Sequence, residues 1–163
     1  MRNSLRTLCG IACAAVIGGA SAADAPPRQS IDDAAAESMA QQCFGHSRAN
    51  TWPPFTIAVV DAGGSLIFLR RQDGASPVTA EAAVLKARTA SRSGAPTQAL
   101  AGMSQDPPTR DLLLLLQLTD DPGGVPLISA GRIIGALGVS GGTAEQDVGC
   151  ANLAAGAWAG ERK

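Results

Sequence analysis

Two pairs of short β-branched stretches, set apart by helix-patterned segments, limit what this chain can fold into. Phe55-Thr56-Ile57-Ala58-Val59-Val60 reads as a buried strand, Asp61-Ala62-Gly63-Gly64 as a turn, and Ser65 to Arg71 as the partner strand. Further on, Gly123-Gly124-Val125-Pro126 leads into a short strand over Val125–Ser129. Ala130-Gly131 reverses it, and Arg132–Val139 returns. Connections this short join antiparallel neighbours, because a parallel pair needs a crossover of a dozen residues or more. Hairpins separated by helices therefore predict a mostly antiparallel sheet covered by helices, an α+β domain. No internal repeat of 20–50 residues is present.

The helices follow from spacing. Ala34, Ala35, Ala36, Met39, Ala40, Cys43 and Phe44 recur at helical intervals between Ile31 and about Arg48, and Trp52-Pro53-Pro54 closes that segment. Ser30 is its expected N-cap, with Asp32 and Asp33 in a first turn whose dipole favours negative charge. Pro77 opens a second helix that runs over Val78–Ser93 to Gly94. Ala82, Ala83, Ala87 and Ala90 give it a thin face that can lie close to a sheet. Residues from Thr97 to Pro108 read as a loop. Thr109–Leu118 reads as a helix on propensity, with a strand as the alternative, and its five consecutive leucines, Leu112 to Leu116, call for either deep burial or a place in a subunit interface. A last helix is expected from about Ala144 to Trp158, with Thr143 and Gln146 at capping-box spacing. The chain has 19 glycines, no tyrosine and only 3 % aromatic residues, so its core must come from small aliphatic side chains packed closely.

The first residues carry a different signal. Arg2 and Arg6 precede an apolar stretch from Leu8 to Ala20, and Ala20-Ser21-Ala22 is an A-x-A cleavage site. The expected organisation is a signal peptide over 1–22, a disordered lead-in over 23–30 and one domain over 31–160, in a periplasmic or secreted protein. Cleavage leaves 141 of the 163 residues, and the loss of two arginines moves the formal charge from −1 to −3. No membrane span is expected after cleavage. Two cysteines remain, Cys43 and Cys150. In an oxidising compartment they can pair and tie the first helix to the last. Two buried thiols acting as small hydrophobes are the alternative.

Charge and motifs exclude several classes of function. A chain without basic excess has nothing to neutralise phosphates, so a nucleic-acid partner is not expected. Gly135-x-x-Gly138-x-x-Gly141-Gly142 lacks the order of a dinucleotide fingerprint and the acidic residue that should follow, and no Walker sequence occurs. There is no G-x-S-x-G elbow for a hydrolase. One histidine and two distant cysteines do not make a zinc cluster.

The remaining candidates each have two readings. His46 is the only imidazole, near the end of the first helix. It is either a solvated residue favoured by the helix dipole or an axial ligand to the iron of a tetrapyrrole. Met39 and Met103 are soft ligands or core filling. Lys86, Arg88 and Arg92 are partners for propionates or a solvated helix face. Ser140-Gly141-Gly142-Thr143, just before a helix, presents N–H groups to an anion or is a tight strand-to-helix turn. Asp61 and Asp73 fit Asx-type turns, and Asp147 fits the first turn of the last helix.

Five ordered blocks then resemble one family. Val59-Val60-Asp61-Ala62-Gly63-Gly64, Arg71-Gln72-Asp73-Gly74-Ala75, Lys86-Ala87-Arg88-Thr89-Ala90, Gly123-Gly124-Val125-Pro126 and Gly131 to Asp147 are similar to the GlcG/HbpS heme-binding family, from about residue 31 to 158. The resemblance implies a profilin-like antiparallel sheet of about five strands flanked by helices, assembled into homo-oligomers. It also implies heme as a cofactor, with His46 as the residue carried over as iron ligand and Lys86 or Arg88 near a propionate. The leading expectation is a secreted protein that stores, carries or senses heme without turning over a substrate. A second reading is an oligomeric periplasmic accessory protein that binds a small organic acid or assists a dehydrogenase. It is motivated by the Ser140–Thr143 turn and by a total of five aromatic residues. A third is an enzyme that breaks heme down slowly with peroxide.

Overall fold

The structure, a computed structural model, describes residues 31–161. The expected leader and lead-in lie outside the described residues. Helix α1 (Asp33–Ala49) begins where the Asp32 carboxylate accepts the Ala35 N–H at 2.8 Å. Asp32 is thus the cap, in place of the expected Ser30, because it is the residue with extended backbone directly before the first helical turn.

β1 (Thr56–Asp61) and β2 (Leu66–Arg71) form the first hairpin, and β3 (Gly124–Ser129) and β4 (Arg132–Ser140) the second. β1 and β4 pair antiparallel, from Thr56 opposite Ser140 to Asp61 opposite Gly135, which joins the hairpins into one sheet of order β2-β1-β4-β3. That makes four strands among the described residues, against the five or so implied by the resemblance. The stretch between the second helix and β3, punctuated by Pro96, Pro107 and Pro108, turns into two 3₁₀ segments and a helix and contributes no strand. In the β1–β2 turn the Asp61 carboxylate accepts the N–H groups of Gly63 and Ser65 at 2.8 and 2.9 Å, the Asx role expected of it.

The sheet is covered on both sides. α2 (Val78–Ser93) lies on one face, where Ala83, Ala87 and Ala90 meet Ala58 and Val60 of β1 and Ala136 of β4 in a thin layer of small side chains. The approach is closest at Gly138, where any side chain would strike the backbone of Ala83 and Ala87. The other face carries α1 and α4 (Ala144–Glu161), and Phe44, Phe55, Ile57, Val59, Leu137 and Val139 fill the larger part of the core there. Cys43 and Cys150 form a disulfide between these two helices, with Cα atoms 5.1 Å apart across 107 positions. Thr143 and Gln146 exchange the two hydrogen bonds of a capping box.

α3 (Pro107–Leu115) departs from one of the two expectations for its leucines. Only Leu113 is buried, while Leu112, Leu114, Leu115 and Leu116 face outward. Deep burial is therefore excluded for the run, since nothing among the described residues covers it. No helix among the described residues is long and apolar enough to cross a membrane.

Candidate functional site

A cavity of about 530 Å³ opens at one end of the sheet, on the side that carries α1. α1 supplies Gln41, Phe44, Ser47 and Arg48, the end of β2 and its continuation supply Arg70, Arg71, Gln72 and Asp73, and the α1–β1 connection supplies Trp52 and Pro54. Hydrogen bonds fix these walls. Trp52 donates its backbone N–H to the Ser47 carbonyl at 2.9 Å, and Gln72 is held to Phe55 through both its backbone N–H and its side-chain oxygen, at 2.9 and 2.7 Å.

Aromatic and cationic groups converge here. Of the five aromatic residues in the chain, Phe44 and Trp52 line the cavity, and Phe55 stands edge-on behind Trp52 with ring centroids 6.1 Å apart. The Arg70 guanidinium sits 5.9 Å from the centre of the Phe44 ring and 3.5 Å from the Glu37 carboxylate. One Arg71 nitrogen donates to the Ala75 carbonyl at 2.5 Å. Arg48 is exposed and has no partner among the described residues. Asp73 is the single acid in the lining.

His46 is exposed, in the last turn of α1, and does not itself line the cavity. Its ring meets Trp52 edge to face, with centroids 4.9 Å apart and planes at 80°. Asn50 anchors it, lying 3.3 Å from Nε2 and donating to the His46 carbonyl at 2.8 Å. An accessible imidazole, the half-buried Trp52 ring and several guanidiniums form a donor set that fits heme: a nitrogen for iron, an aromatic surface for the macrocycle and cations for its carboxylates.

The other expected site residues lie elsewhere. Lys86 and Arg88 are on α2, across the sheet from His46, so the fold does not bring the three into one pocket. Nor is Lys86 on a solvated face. Its side chain is 2 % exposed, and Nζ lies 2.8 Å from both Asp147 and Asp121. Burial raises the Asp147 pKa above its ordinary value, against the pull of hydrogen bonds from Lys86 and Gly142. Arg88 donates to the Gly64 carbonyl at 3.1 Å and lines a second, mostly apolar cavity of about 540 Å³ between α2, β2 and the end of α3. Met103 is exposed in a 3₁₀ turn, and Met39 is core.

The Ser140–Thr143 segment is a strand-to-helix turn, and its Gly142 and Thr143 donors are engaged internally. Gly142 N–H goes to the Asp147 carboxylate at 2.9 Å and Thr143 N–H to Gln146 at 3.0 Å. Sequence reasoning missed the Arg48, Arg70 and Arg71 cluster and the Lys86–Asp147 pair. Phe44, Trp52 and Arg70-Arg71 fall in three separate segments, and Lys86 and Asp147 are 61 positions apart. Only the tertiary fold assembles them.

These features define an α+β domain with a four-stranded antiparallel sheet between helices and an arginine- and aromatic-lined cavity at its α1 end. Residues 31–156 match the family described as haem degrading protein HbpS-like, and the chain belongs to that family. It is 40 % identical to Protein GlcG of Escherichia coli (strain K12) over 94 residues, 58 % of this chain and 69 % of that protein. Among solved structures it is similar to protein ORFY of Klebsiella pneumoniae, with a TM-score of 0.77 and 29 % identity over 83 % of this chain and 95 % of that one. It is also similar to a PduOC:heme complex, with a TM-score of 0.72 and 27 % identity over 78 % and 94 % of the respective chains. The family found is the one the five sequence blocks resemble.

Proposed function

We propose that this protein is a secreted, periplasmic heme-binding protein that stores, carries or senses heme, and that His46 is its iron ligand. The convergence of the only imidazole in the chain with Trp52, Phe44 and three arginines at one end of the sheet carries this reading. Membership of the HbpS-like family and similarity to a protein solved as a heme complex support it. When bound, heme supplies an iron whose ligation and redox behaviour are set by its axial ligand and surroundings. In this chain His46 Nε2 faces the Asn50 amide at 3.3 Å, a contact that iron would replace, Trp52 offers apolar surface, and the guanidiniums offer positive charge. Titration of hemin into the purified protein, followed at the Soret band, should show saturable binding, and His46→Ala should alter the spectrum. Absence of saturation would sink the reading, and an unchanged spectrum in the variant would remove His46 as ligand.

The protein acts, in this reading, as a homo-oligomer, for which the outward leucines of α3 supply apolar surface. The organic-acid alternative loses support at the Ser140–Thr143 turn, where the Gly142 and Thr143 N–H groups are engaged, and finds it in the arginine-lined cavity. Thermal stabilisation by small carboxylates but not by hemin would favour it.

A further inference from the structure

We propose that the cavity at the α1 end of the sheet recognises the carboxylates of the tetrapyrrole, with Arg48 and Arg71 as the groups that bind them. The proposal rests on the heme reading above and assigns the charged end of that ligand to residues other than Lys86 and Arg88.

Three guanidiniums and one carboxylate, Asp73, line the cavity, a local positive excess in a chain whose formal net charge is −1. The arginines are not equivalent. Arg70 leans on the Phe44 ring and lies within 3.5 Å of Glu37, so its charge is already matched. Arg71 is held in place by one nitrogen on the Ala75 carbonyl, which leaves its other donors for a ligand. The Arg48 side chain has no partner among the described residues, although it sits one turn from the buried Phe44 and next to Ser47, whose carbonyl fixes the Trp52 backbone. Guanidinium forks suit carboxylates because two parallel N–H groups match two oxygens.

The two residues expected to do this are otherwise committed. Lys86 is buried between two aspartates, and Arg88 is tied to Gly64 across the sheet from His46. A ligand held between His46 and the cavity that Trp52 lines is on the side of the sheet with Arg48 and Arg71, and across the sheet from those two.

Blocking the ligand's carboxylates tests this directly. Hemin and hemin dimethyl ester are titrated into the wild type, Arg48→Ala and Arg88→Ala, at low and high salt. The wild type should bind hemin at least about tenfold more tightly than the ester, the loss expected when a charge-assisted hydrogen bond goes. Arg48→Ala should lower hemin affinity by a similar factor, leave the ester unchanged and weaken the salt dependence. Arg88→Ala should change neither ligand. The Arg48 guanidinium makes no internal bond, so its variant should keep the wild-type circular dichroism and melting temperature. Equal affinity for hemin and its ester, or loss of the preference in Arg88→Ala in place of Arg48→Ala, overturns the assignment while the heme reading stands. Failure of the wild type to bind hemin overturns both.

Discussion

Lys86 Nζ lies 2.8 Å from Asp147 Oδ2 with both side chains buried, and this contact ties the middle of α2 to the first turn of α4. Removing one partner of such a pair leaves a charge in the interior with nothing to compensate it. Lys86→Met should therefore cost about 3–5 kcal/mol of unfolding free energy. Urea denaturation followed by circular dichroism measures the loss. A cost below about 1 kcal/mol would mean that water or protonation of Asp147 relieves the uncompensated charge freely, contrary to the burial of the site.

The same pair sets a pH dependence. Burial raises the Asp147 pKa above the ordinary value of 3.8, so the folded state holds that proton more tightly than the unfolded chain does. The resulting stability is fully present below pH 3.8 and is lost as pH rises through the elevated folded value. Stability of the wild type relative to Asp147→Asn should accordingly fall with rising pH above 3.8 and level off once Asp147 is ionised. Urea midpoints of the two proteins across pH 3.5 to 7 test it, and a difference that grows with pH would reverse the sign.

Much of the fold was legible in the sequence because its signals are local. Both hairpins, the thin face of α2 and the Thr143–Gln146 box rest on residues within a few positions of each other. The outward position of Leu114 and Leu115 was not legible, since a run of leucines looks the same buried or exposed. The site was less legible than the fold. His46 could be singled out as the only imidazole, but its contact with Trp52 depends on the bend after α1. The arginines were invisible as a group because Arg48 and Arg71 meet only when β2 has folded beside α1.

The Cys43–Cys150 disulfide links the first and last helices across 107 positions, and both residues are fully buried. A loop that long restricts the unfolded chain strongly, so its loss should cost about 2–5 kcal/mol. The double variant Cys43→Ala/Cys150→Ala should lower the urea midpoint by a matching amount, and reductant should shift the wild type alone. If reductant leaves the wild-type midpoint unchanged, the bond contributes nothing to stability.

Ala130 occupies the left-handed region at φ 48°, next to Gly131 at φ 73°, in the turn between β3 and β4. An L-residue with a Cβ is disfavoured there by roughly 1–2 kcal/mol, whereas Asn tolerates it and Asn-Gly is the preferred pair for such a turn. Ala130→Asn should raise stability by about 0.5–1 kcal/mol, seen as a melting temperature a few degrees higher. A lower melting temperature would show that the turn is not under this strain.

The leucines of α3 lead to a prediction about assembly. Leu114 and Leu115 are 68 % and 79 % exposed, and their surface continues across the second cavity to Val84 and Leu85 of α2. Glu81 and Arg88 flank that surface seven residues apart on the same helix. In a two-fold pairing a residue of one copy that meets a second residue of the other is met by it in return, so Glu81 of one subunit can face Arg88 of the next and Arg88 its Glu81. Replacing Leu115 by Asp places a charge in such an interface without touching the core. Light scattering after size exclusion should then give a smaller mass for Leu115→Asp than for the wild type, with an unchanged circular dichroism spectrum. Glu81→Arg should weaken the assembly too, and adding Arg88→Glu should restore it, since the exchanged pair faces its partner again. A wild type that is monomeric at tens of micromolar, or an assembly indifferent to both changes, would place the interface elsewhere or remove it.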